Sequence, residues 1–353
     1  GYITDLHDLQ ISENGNTLLL IYNRRIADLS DYGGSPQATV VDCIVQELDP
    51  QKNVVFEWNS ADHIDITDTN QALDVDLLRY IHCNSVEEDF DGNILLSNRN
   101  MDEITKIDRI TGEIIWRLGG KKSDFDFVDD DANGFSVQHD ARRLPNGNIS
   151  VYDNGNYNIP RVSRGAEYKL DLETGTATLV REYRTTPDTW ALALGNMQKQ
   201  SNGNVVIGWG RSSKPMFTEF TEDGDMVLQM DAIPGTGSYR IFRFPWQGYP
   251  SWPPLLITQV ENDIIDLYFS WNGSTETVSY KVLGGQEQNK LNHLATVTRS
   301  GFETTYKFAA PANGLWFLQV IPIDEQGQLG IPSNVASTIV GGHEVYFPVA
   351  LAD

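Results

Sequence analysis

The sequence has few cysteines, no long apolar run and a shortage of basic residues, and each shortage excludes a class of protein. Two cysteines in 353 residues are too few for a disulfide framework and have the wrong spacing for a zinc motif. No apolar run approaches the roughly 18 residues that a membrane-spanning helix needs. A net charge of −23 would repel nucleic-acid phosphates and anionic membrane surfaces. We therefore expect no membrane span and no nucleic-acid partner.

Cys43 and Cys83 leave two interpretations open. Two buried free thiols are the simpler one and are our expectation. A single disulfide between neighbouring strands is the alternative if the protein is exported, because disulfides persist in oxidising compartments. Gly1 opens no basic stretch followed by an apolar one, so we expect any export signal to have been removed or never included.

A repeat is the strongest feature that the sequence does have. Asn-Gly-Asn or Asp-Gly-Asn turns recur around Gly15, Gly92, Gly147 and Gly203, and a β-rich run follows each turn at once. Later in the last three units, a second turn separates two further strand-like runs. Since such turns join antiparallel strands, each unit predicts four strands. Four-stranded units in series, with no helical periodicity, are typical of a β-propeller.

We therefore predict an all-β fold with about four propeller blades in residues 1–249. An additional strand is predicted at Ser238–Phe244. Because the chain starts directly in a strand, we expect further blades upstream, lost from this sequence or supplied by another chain. A proline-rich linker then leads to alternating strands in residues 250–340, which predict a fibronectin-III-like or immunoglobulin-like β-sandwich. Residues 341–353 are predicted to be a C-terminal tail.

Aligning the units by their turn glycines brings three of the six histidines to one position. His7, His82 and His139 lie eight to ten residues before the turn glycine of their units. The first strand of a propeller blade lines the central channel, so these side chains are expected to converge. Arg99 and Asn154 lie seven residues beyond the turn glycines, on the adjacent strands.

Histidine and arginine together predict an anion site, because the planar fork of Arg suits sulfate, phosphate or carboxylate. Histidine can bind such a group, transfer a proton or act as a nucleophile. Two alternatives remain open. A strand histidine is often a satisfied core residue, and three histidines could instead hold zinc or iron. The nearby Arg, which would repel a cation, makes the metal interpretation less favourable.

Five motifs, in this order, resemble the arylsulfotransferase family, in particular its shorter secreted branch with a C-terminal sandwich. The resemblance covers nearly the whole chain, and the sandwich contributes SWNGSTE at Ser270–Glu276. The motifs are HDLQISENGNTLLLIYN, HCNSVEEDFDGNILLSNRN with EITKIDRITGEIIWRLGGKKSDF, FSVQHDARRLPNGNISVYDNGN, GNMQKQSNGNVVIGWG and SYRIFRFPWQGYP.

The resemblance implies a six-bladed propeller that moves a sulfuryl group from a phenolic sulfate to another phenol through a sulfated histidine, without a nucleotide or other required cofactor. His139 of QHDAR corresponds to the nucleophile. His82 of HCNS and Arg99 of SNRN correspond to the sulfate-binding pair, and His7 of HDLQ to the remaining channel histidine. The resemblance also implies a secreted or periplasmic location. The family's first two blades have no counterpart in this sequence.

Four further residues are assigned to substrate binding. Asn84 and Asn154 offer neutral hydrogen-bond donors, Arg142 belongs to the cluster after His139, and His63 lies between blades where it would rim the channel mouth. The competing hypothesis for the whole chain is a catalytically silent extracellular module that serves in binding or assembly. A metal-dependent propeller hydrolase is a weaker third hypothesis.

An acidic segment between the second and third units has the spacing of a calcium loop. Its ligands would be Asp129, Asp131, Asn133 and Asp140, the last at the twelfth position. Because flanking helices are absent, a solvated acidic loop is the favoured interpretation and a structural calcium ion is the alternative.

Overall fold

The computed structural model describes residues 2–270 and 272–341, and the chain divides into two compact units, 1–243 and 244–353. The predicted domain boundary at Tyr249 falls inside the second unit. The regular secondary structure of the described residues consists almost entirely of β-strands, which confirms the predicted fold class. No helix among them is long and apolar enough to cross a membrane. Trp271 and the predicted tail beyond Gly341 lie outside the described residues.

The first unit contains four sheets, which follow one another along the chain. The first sheet has β1 (Thr4–Ile11), β2 (Thr17–Ala27), β3 (Ala38–Leu48), β4 (Val54–Asn59) and β5 (Leu77–Leu78). The second sheet has β6 (Cys83–Glu88), β7 (Ile94–Asn98), β8 (Glu103–Ile107) and β9 (Ile114–Gly119). The third sheet has β10 (Asp126–Val128), β11 (His139–Arg143), β12 (Ile149–Asp153), β13 (Arg164–Asp171) and β14 (Thr176–Tyr183). The fourth sheet has β15 (Asn196–Lys199), β16 (Val205–Gly208), β17 (Phe217–Phe220) and β18 (Met226–Met230). Among the described residues, helical structure is limited to α1 (Ser60–His63) and three short 3₁₀ helices at Ser30–Tyr32, Ile66–Asp68 and Arg99–Met101.

The recurring turns have the hairpin structure that their sequence predicts. Gly15, Gly92, Gly147 and Gly203 have φ of 83°, 79°, 87° and 89°, a left-handed conformation that glycine adopts without steric cost. In each turn, the Asn or Asp before the glycine accepts a hydrogen bond from the backbone N–H two residues further on, at 2.9–3.1 Å. The turns therefore connect β1 with β2, β6 with β7, β11 with β12 and β15 with β16.

Two details differ from the predicted four antiparallel strands per unit. β5 pairs with β3 in parallel, and β10 pairs with β14 in parallel, so the first and third sheets each have five strands. The strand predicted at Ser238–Phe244 is wrong. This segment runs beside β15 through side-chain hydrogen bonds, in which Asn196 and Gln198 bind the backbone of Ile241 and Arg243.

The sheets pack face to face, as propeller blades do. Neighbouring residues of β7 point to opposite faces, so Leu96 packs into the core shared with the first sheet, whereas Leu95 packs into the core shared with the third. In the same way Val151 of β12 faces the second sheet and Tyr152 faces the fourth. The first strands of adjacent sheets also contact one another, β1 with β6, and β11 with β6 and β15. The starts of these strands therefore lie close together.

Cys43 of β3 and Cys83 of β6 form a disulfide with Cα atoms 6.2 Å apart, so the expectation of free thiols is wrong. The bond joins the first sheet to the second within one core, and Cys83 directly follows His82. Pairing could not be deduced from sequence because the two strands become neighbours only through propeller packing.

Removing this disulfide should lower the free energy of unfolding substantially. For a sequence separation of 40 residues, the loss of loop constraint in the unfolded chain corresponds to about 4 kcal/mol. Urea denaturation of Cys43→Ala/Cys83→Ala should show this loss, and reductant should destabilise the wild-type protein but not the double variant. Equal stability of both proteins with and without reductant would contradict the bond.

The second unit is a β-sandwich of seven strands around one apolar core. One sheet has the order β19-β20-β23 and the other β22-β21-β24-β25. The strands are β19 (Leu256–Glu261), β20 (Ile264–Ser270), β21 (Thr277–Gly285), β22 (Asn292–Thr298), β23 (Glu303–Ala309), β24 (Gly314–Asp324) and β25 (Ala336–Val340). Inward positions such as Leu267 and Val320 are fully buried. The assignment to the fibronectin-III type itself stays a prediction.

Candidate functional site

His139 opens β11 and is the most deeply buried histidine of the predicted site, with 1% of its surface exposed. Its Nδ1 lies 2.7 Å from Asn154 Oδ1 and 3.1 Å from the Val137 carbonyl. Because both neighbours are acceptors, Nδ1 carries the hydrogen and donates it. The lone pair is therefore on Nε2, which accepts the Leu194 N–H at 3.3 Å.

The environment of His139 favours the neutral imidazole. Burial lowers its pKa to about 3, and the positive charges of Arg99 and Arg240 act in the same direction, whereas the hydrogen bond to Asn154 partly opposes them. Neutral imidazole is the nucleophilic form of histidine, so the side chain is in its reactive state at neutral pH.

His7 and His82 are in direct contact, with ring centroids 5.0 Å apart in an edge-to-face arrangement. Burial, with a smaller contribution from the nearby His7 and Arg99, lowers the pKa of His82 to about 3. Tyr22 and Tyr239 surround His7, with centroids at 5.5 and 5.6 Å from its ring. The Nδ1 of His7 also contacts the carboxylate of Asp5.

Arg99 begins the short 3₁₀ helix after β7, and its backbone N–H donates to the His82 carbonyl at 3.1 Å. Its guanidinium donates to Asn100 Oδ1 at 2.8 Å. Within residues 2–270 and 272–341, no carboxylate forms an ion pair with Arg99. Burial lowers the pKa of Arg99, although the group stays cationic. The carboxylate of Asp102 acts on Arg99 without forming an ion pair with it. A half-buried cation that forms no ion pair with the described residues is suited to bind an anion.

Two buried aspartates, each next to a histidine in sequence, and two partly buried arginines form a charged cluster: Asp8, Asp140, Arg142 and Arg240. Arg142 binds Asp8 at 2.9 Å and Asp140 at 2.8 Å, and Arg240 binds Asp8 at 2.9 Å. Asp8 follows His7 and Asp140 follows His139, so the cluster ties the two histidine-bearing strands together. The Arg142 guanidinium, assigned to substrate binding from sequence, is placed in these ion pairs.

Three residues at the site have left-handed backbone conformations that are uncommon outside glycine, aspartate and asparagine. They are His82, Val137 and Leu194, with φ of 50°, 57° and 68°. Each costs on the order of 1 kcal/mol or more, so the surrounding contacts must hold it in place. Their position beside His82 and His139 is typical of a functional site.

The comparisons with known proteins bear on this geometry. Residues 2–233 match the family model described as Arylsulfotransferase (ASST). The chain belongs to the arylsulfotransferase family. No curated protein matches it significantly.

Solved structures similar to this arylsulfotransferase chain are distant. A Bacteroides caccae protein of unknown function has 14% identity and a TM-score of 0.38, covering 63% of this chain and 65% of its own. This chain thus spans less than two thirds of that protein. Virginiamycin B lyase from Staphylococcus aureus has 12% identity and a TM-score of 0.38, with 95% and 84% covered. A human fibronectin type III domain has 11% identity and a TM-score of 0.22, with 29% and 96% covered. At these TM-scores the likenesses carry no functional conclusion.

Two other residues predicted for this arylsulfotransferase site have different surroundings. Asn84 is fully buried next to the histidines, where its Nδ2 donates to the Gln138 carbonyl at 2.7 Å. Its Oδ1 has no hydrogen-bond partner. His63 stacks on Trp58 at 5.2 Å and lies against the turn at Gly112. No described contact joins His63 to the other histidines.

The four predicted calcium ligands of this chain have different surroundings. Asp140 binds Arg142 and lies 3.4 Å from Arg240, whereas Asp129, Asp131 and Asn133 are exposed. The carboxylate of this loop that points inward is Asp130, which binds Arg164 at 2.9 Å. In the described part of the chain, no group of three or more His, Cys, Asp and Glu is arranged to hold a metal ion. Calcium binding stays a prediction.

Sequence reasoning missed several residues of the arylsulfotransferase site. Leu194 contacts His139 through its backbone, so no side-chain pattern could reveal it. Tyr22 donates to the Cys83 carbonyl at 2.7 Å, and Tyr239 donates to the Asn84 carbonyl at 3.3 Å. Tyr239 and Arg240 lie in the SYRIFRF motif, and their position there was the one available signal. The fourth unit has Gly195 at the histidine position because a Cβ there would lie 2.3 Å from the ring of Tyr152.

Proposed function

We propose that the chain is a nucleotide-independent aryl sulfotransferase. It moves a sulfuryl group from a phenolic sulfate ester to a phenol through a sulfo-histidine on His139. The observation that supports it most is the state of His139, a neutral imidazole whose Nδ1–H is bonded to Asn154 and whose Nε2 keeps its lone pair. Arg99, which is half-buried and forms no ion pair within the described part of the chain, supplies the charge that a sulfuryl group needs.

In the first step, the Nε2 lone pair of His139 attacks the sulfur of the donor. The N–S bond forms, the bond between sulfur and the aryl oxygen breaks, and the phenolate leaves with that electron pair. Negative charge on the sulfuryl oxygens is stabilised by Arg99. His82 has a low pKa, so it acts as a neutral hydrogen-bonding group, not as a second cation.

In the second step, the oxygen of the acceptor phenol attacks sulfur, and the N–S bond breaks. The electron pair returns to Nε2 and the neutral imidazole is restored. The phenol must lose its proton as it attacks. His7, in contact with the Asp5 carboxylate, is the group assigned to accept it. Asn154 acts through His139 as a positioning residue, because its amide is fully used in contacts with His139, Ala191 and Leu194.

The direct test is transfer from 4-nitrophenyl sulfate to phenol. Nitrophenol should be released in the presence of the acceptor, phenyl sulfate should accumulate in equal amount, and no nucleotide should be needed. Release of free sulfate instead of phenyl sulfate would point to a hydrolase. No release with any phenolic acceptor would contradict the proposal.

The rate of the first step should be nearly independent of pH between about pH 5 and pH 8. The ordinary pKa of histidine, 6.5, is lowered to about 3 in His139, so protonation inactivates the nucleophile only near pH 3. The burst of nitrophenol, quenched in base before it is read, measures this step. A loss of about tenfold per pH unit below pH 6.5 would show that His139 titrates like an exposed histidine.

A catalytically silent extracellular module for binding or assembly is the second candidate function. The burial of His139, with Leu194 N–H on the nitrogen that must react, favours it. The two candidates differ in whether a sulfo-histidine forms. Mass spectrometry of the protein after incubation with donor alone should reveal one added SO₃ group on the peptide that contains His139 if the chain is an enzyme.

We propose that the protein works outside the cytoplasm, in the periplasm or as a secreted protein. The Cys43–Cys83 disulfide supports this, since such bonds are stable in oxidising compartments. The proposed substrates are small phenolic sulfates and phenols, and the chemistry requires no cofactor. A calcium ion at the loop around Asp130, and another polypeptide that completes the propeller, remain proposals.

A further inference from the structure

Two loops of the first unit come close to His139 in space. The loop 155–162 directly follows Asn154, whose Oδ1 accepts the Nδ1–H of His139. The loop 189–195 contains Leu194, whose N–H donates to Nε2. We call these the two mouth loops. Because Asn154 and Leu194 are bonded to the two nitrogens of one imidazole, a surface shared by the two mouth loops is adjacent to His139.

The mouth loops are fixed to each other. Asn154 Nδ2 donates to the Ala191 carbonyl at 2.9 Å, and Asn156 Nδ2 donates to the Leu192 carbonyl at 3.0 Å. The Trp190 indole N–H donates to Asn156 Oδ1 at 3.0 Å. These three bonds join Asn154 and Asn156 to three successive residues of the second mouth loop, Trp190, Ala191 and Leu192.

The loops nevertheless leave large apolar side chains in solvent. Tyr157 is 58% exposed, Ile159 98%, Trp190 39% and Leu192 47%. Apolar side chains on loops held by hydrogen bonds are typical of binding surfaces, because the cost of ordering them is already met before a ligand arrives.

A positive charge accompanies each aromatic ring. The guanidinium carbon of Arg161 lies 5.1 Å from the centre of the Trp190 ring. The Arg99 guanidinium lies near the phenolic group of Tyr157. Aromatic rings beside arginines suit a ligand that is itself an aromatic ring with an anionic substituent.

We propose that Tyr157 and Trp190 form the binding site for the aryl ring of the substrate, so that its anionic group points towards Arg99 and His139. The inference deepens the proposed function and rests on it for the identity of the anion. It assigns specificity to the ring, and it predicts that larger fused rings bind more tightly than a single ring.

Aryl sulfonates test the site without turnover, because their carbon–sulfur bond offers no phenolate leaving group. Calorimetry of the full chain should give tighter binding for naphthalene-2-sulfonate than for benzenesulfonate. Trp190→Ala should raise the Kd of naphthalene-2-sulfonate about tenfold and leave that of methanesulfonate unchanged. Trp190→Phe keeps a ring without the indole N–H and should stay within about threefold of wild type. Trp252→Ala, which removes an exposed Trp of the second unit, should have no effect.

Four outcomes would overturn the inference: no binding of naphthalene-2-sulfonate to the wild type, an unchanged Kd in a folded Trp190→Ala variant, equal losses with Trp190→Phe and Trp190→Ala, or an equal loss with methanesulfonate. The third would mean that the hydrogen bond to Asn156 matters and the ring does not. If the sulfonates bind through Trp190 but 4-nitrophenyl sulfate is never turned over, the aryl site stands and the proposed function fails.

Discussion

Replacing His139 with glycine should reduce sulfuryl transfer from 4-nitrophenyl sulfate to phenol by at least about 10⁴-fold. Without Nε2 there is no covalent intermediate, and the active-site geometry does not offer a substitute. His82 has a similarly low pKa, but its ring packs edge-on against His7. Steady-state release of nitrophenol, and the SO₃ adduct on the His139 peptide, should both be lost.

The variant leaves two buried groups without their partner. Asn154 Oδ1 loses its donor and the Leu194 N–H loses its acceptor, which costs about 1–3 kcal/mol per unsatisfied group. Urea denaturation must therefore show that the variant is still folded at the assay temperature. Added imidazole should enter the space left by the side chain and restore part of the activity. His293→Gly, which removes an exposed histidine of the second unit, should transfer like the wild type.

Rescue by imidazole distinguishes a nucleophilic role of His139 from a purely structural one. A purely structural role for His139 predicts that any restored packing recovers function, so that 4-methylpyrazole or benzene would work as well as imidazole. Wild-type rates in a folded His139→Gly variant would contradict the sulfo-histidine mechanism outright.

The hairpins and the contact between His7 and His82 could be predicted because their signals are local. An Asn-Gly-Asn or Asp-Gly-Asn turn favours a left-handed glycine between two strands, so Gly92 and Gly147 mark their hairpins without knowledge of the fold. Once the hairpins are aligned, equivalent strand positions follow. His7 and His82 are in contact because β1 and β6 are neighbours in a series that the repeat alone defines.

What could not be predicted depends on contacts between distant parts of the chain. Arg142 looks free in sequence, yet it binds Asp8, which comes from another sheet. The disulfide also joins two sheets, and the segment 238–243 is held by side chains of β15, so neither has a local pattern. The surroundings of a charge, and hence whether it can bind substrate, are decided by such long-range pairs.

Replacing Arg99 with glutamine should lower kcat/KM for aryl sulfates by about 10²–10³-fold without destabilising the fold. In the proposed mechanism its guanidinium stabilises the negative charge on the sulfuryl oxygens while the sulfuryl group is transferred between the phenolic oxygen and His139. Lysine at this position keeps the charge but loses the planar fork, so Arg99→Lys should fall between wild type and glutamine. Both the burst and the steady-state rate should decrease, because negative charge develops on the sulfuryl oxygens both in the transfer to His139 and in the transfer to the acceptor.

The free energy of unfolding of the variants distinguishes Arg99 from an arginine that stabilises the fold. Arg99 is desolvated and has no ion pair among the described residues, so its removal relieves a cost and should leave the free energy of unfolding equal or higher. Arg117 is the matched control. It binds Asp68 at 2.8 Å and lies 3.8 Å from the buried Glu103, so Arg117→Gln leaves carboxylates unpaired and should reduce stability while transfer continues. A loss of stability in Arg99→Gln as large as in Arg117→Gln, with transfer unchanged, would show that Arg99 holds the sheets together and does not bind the sulfuryl group.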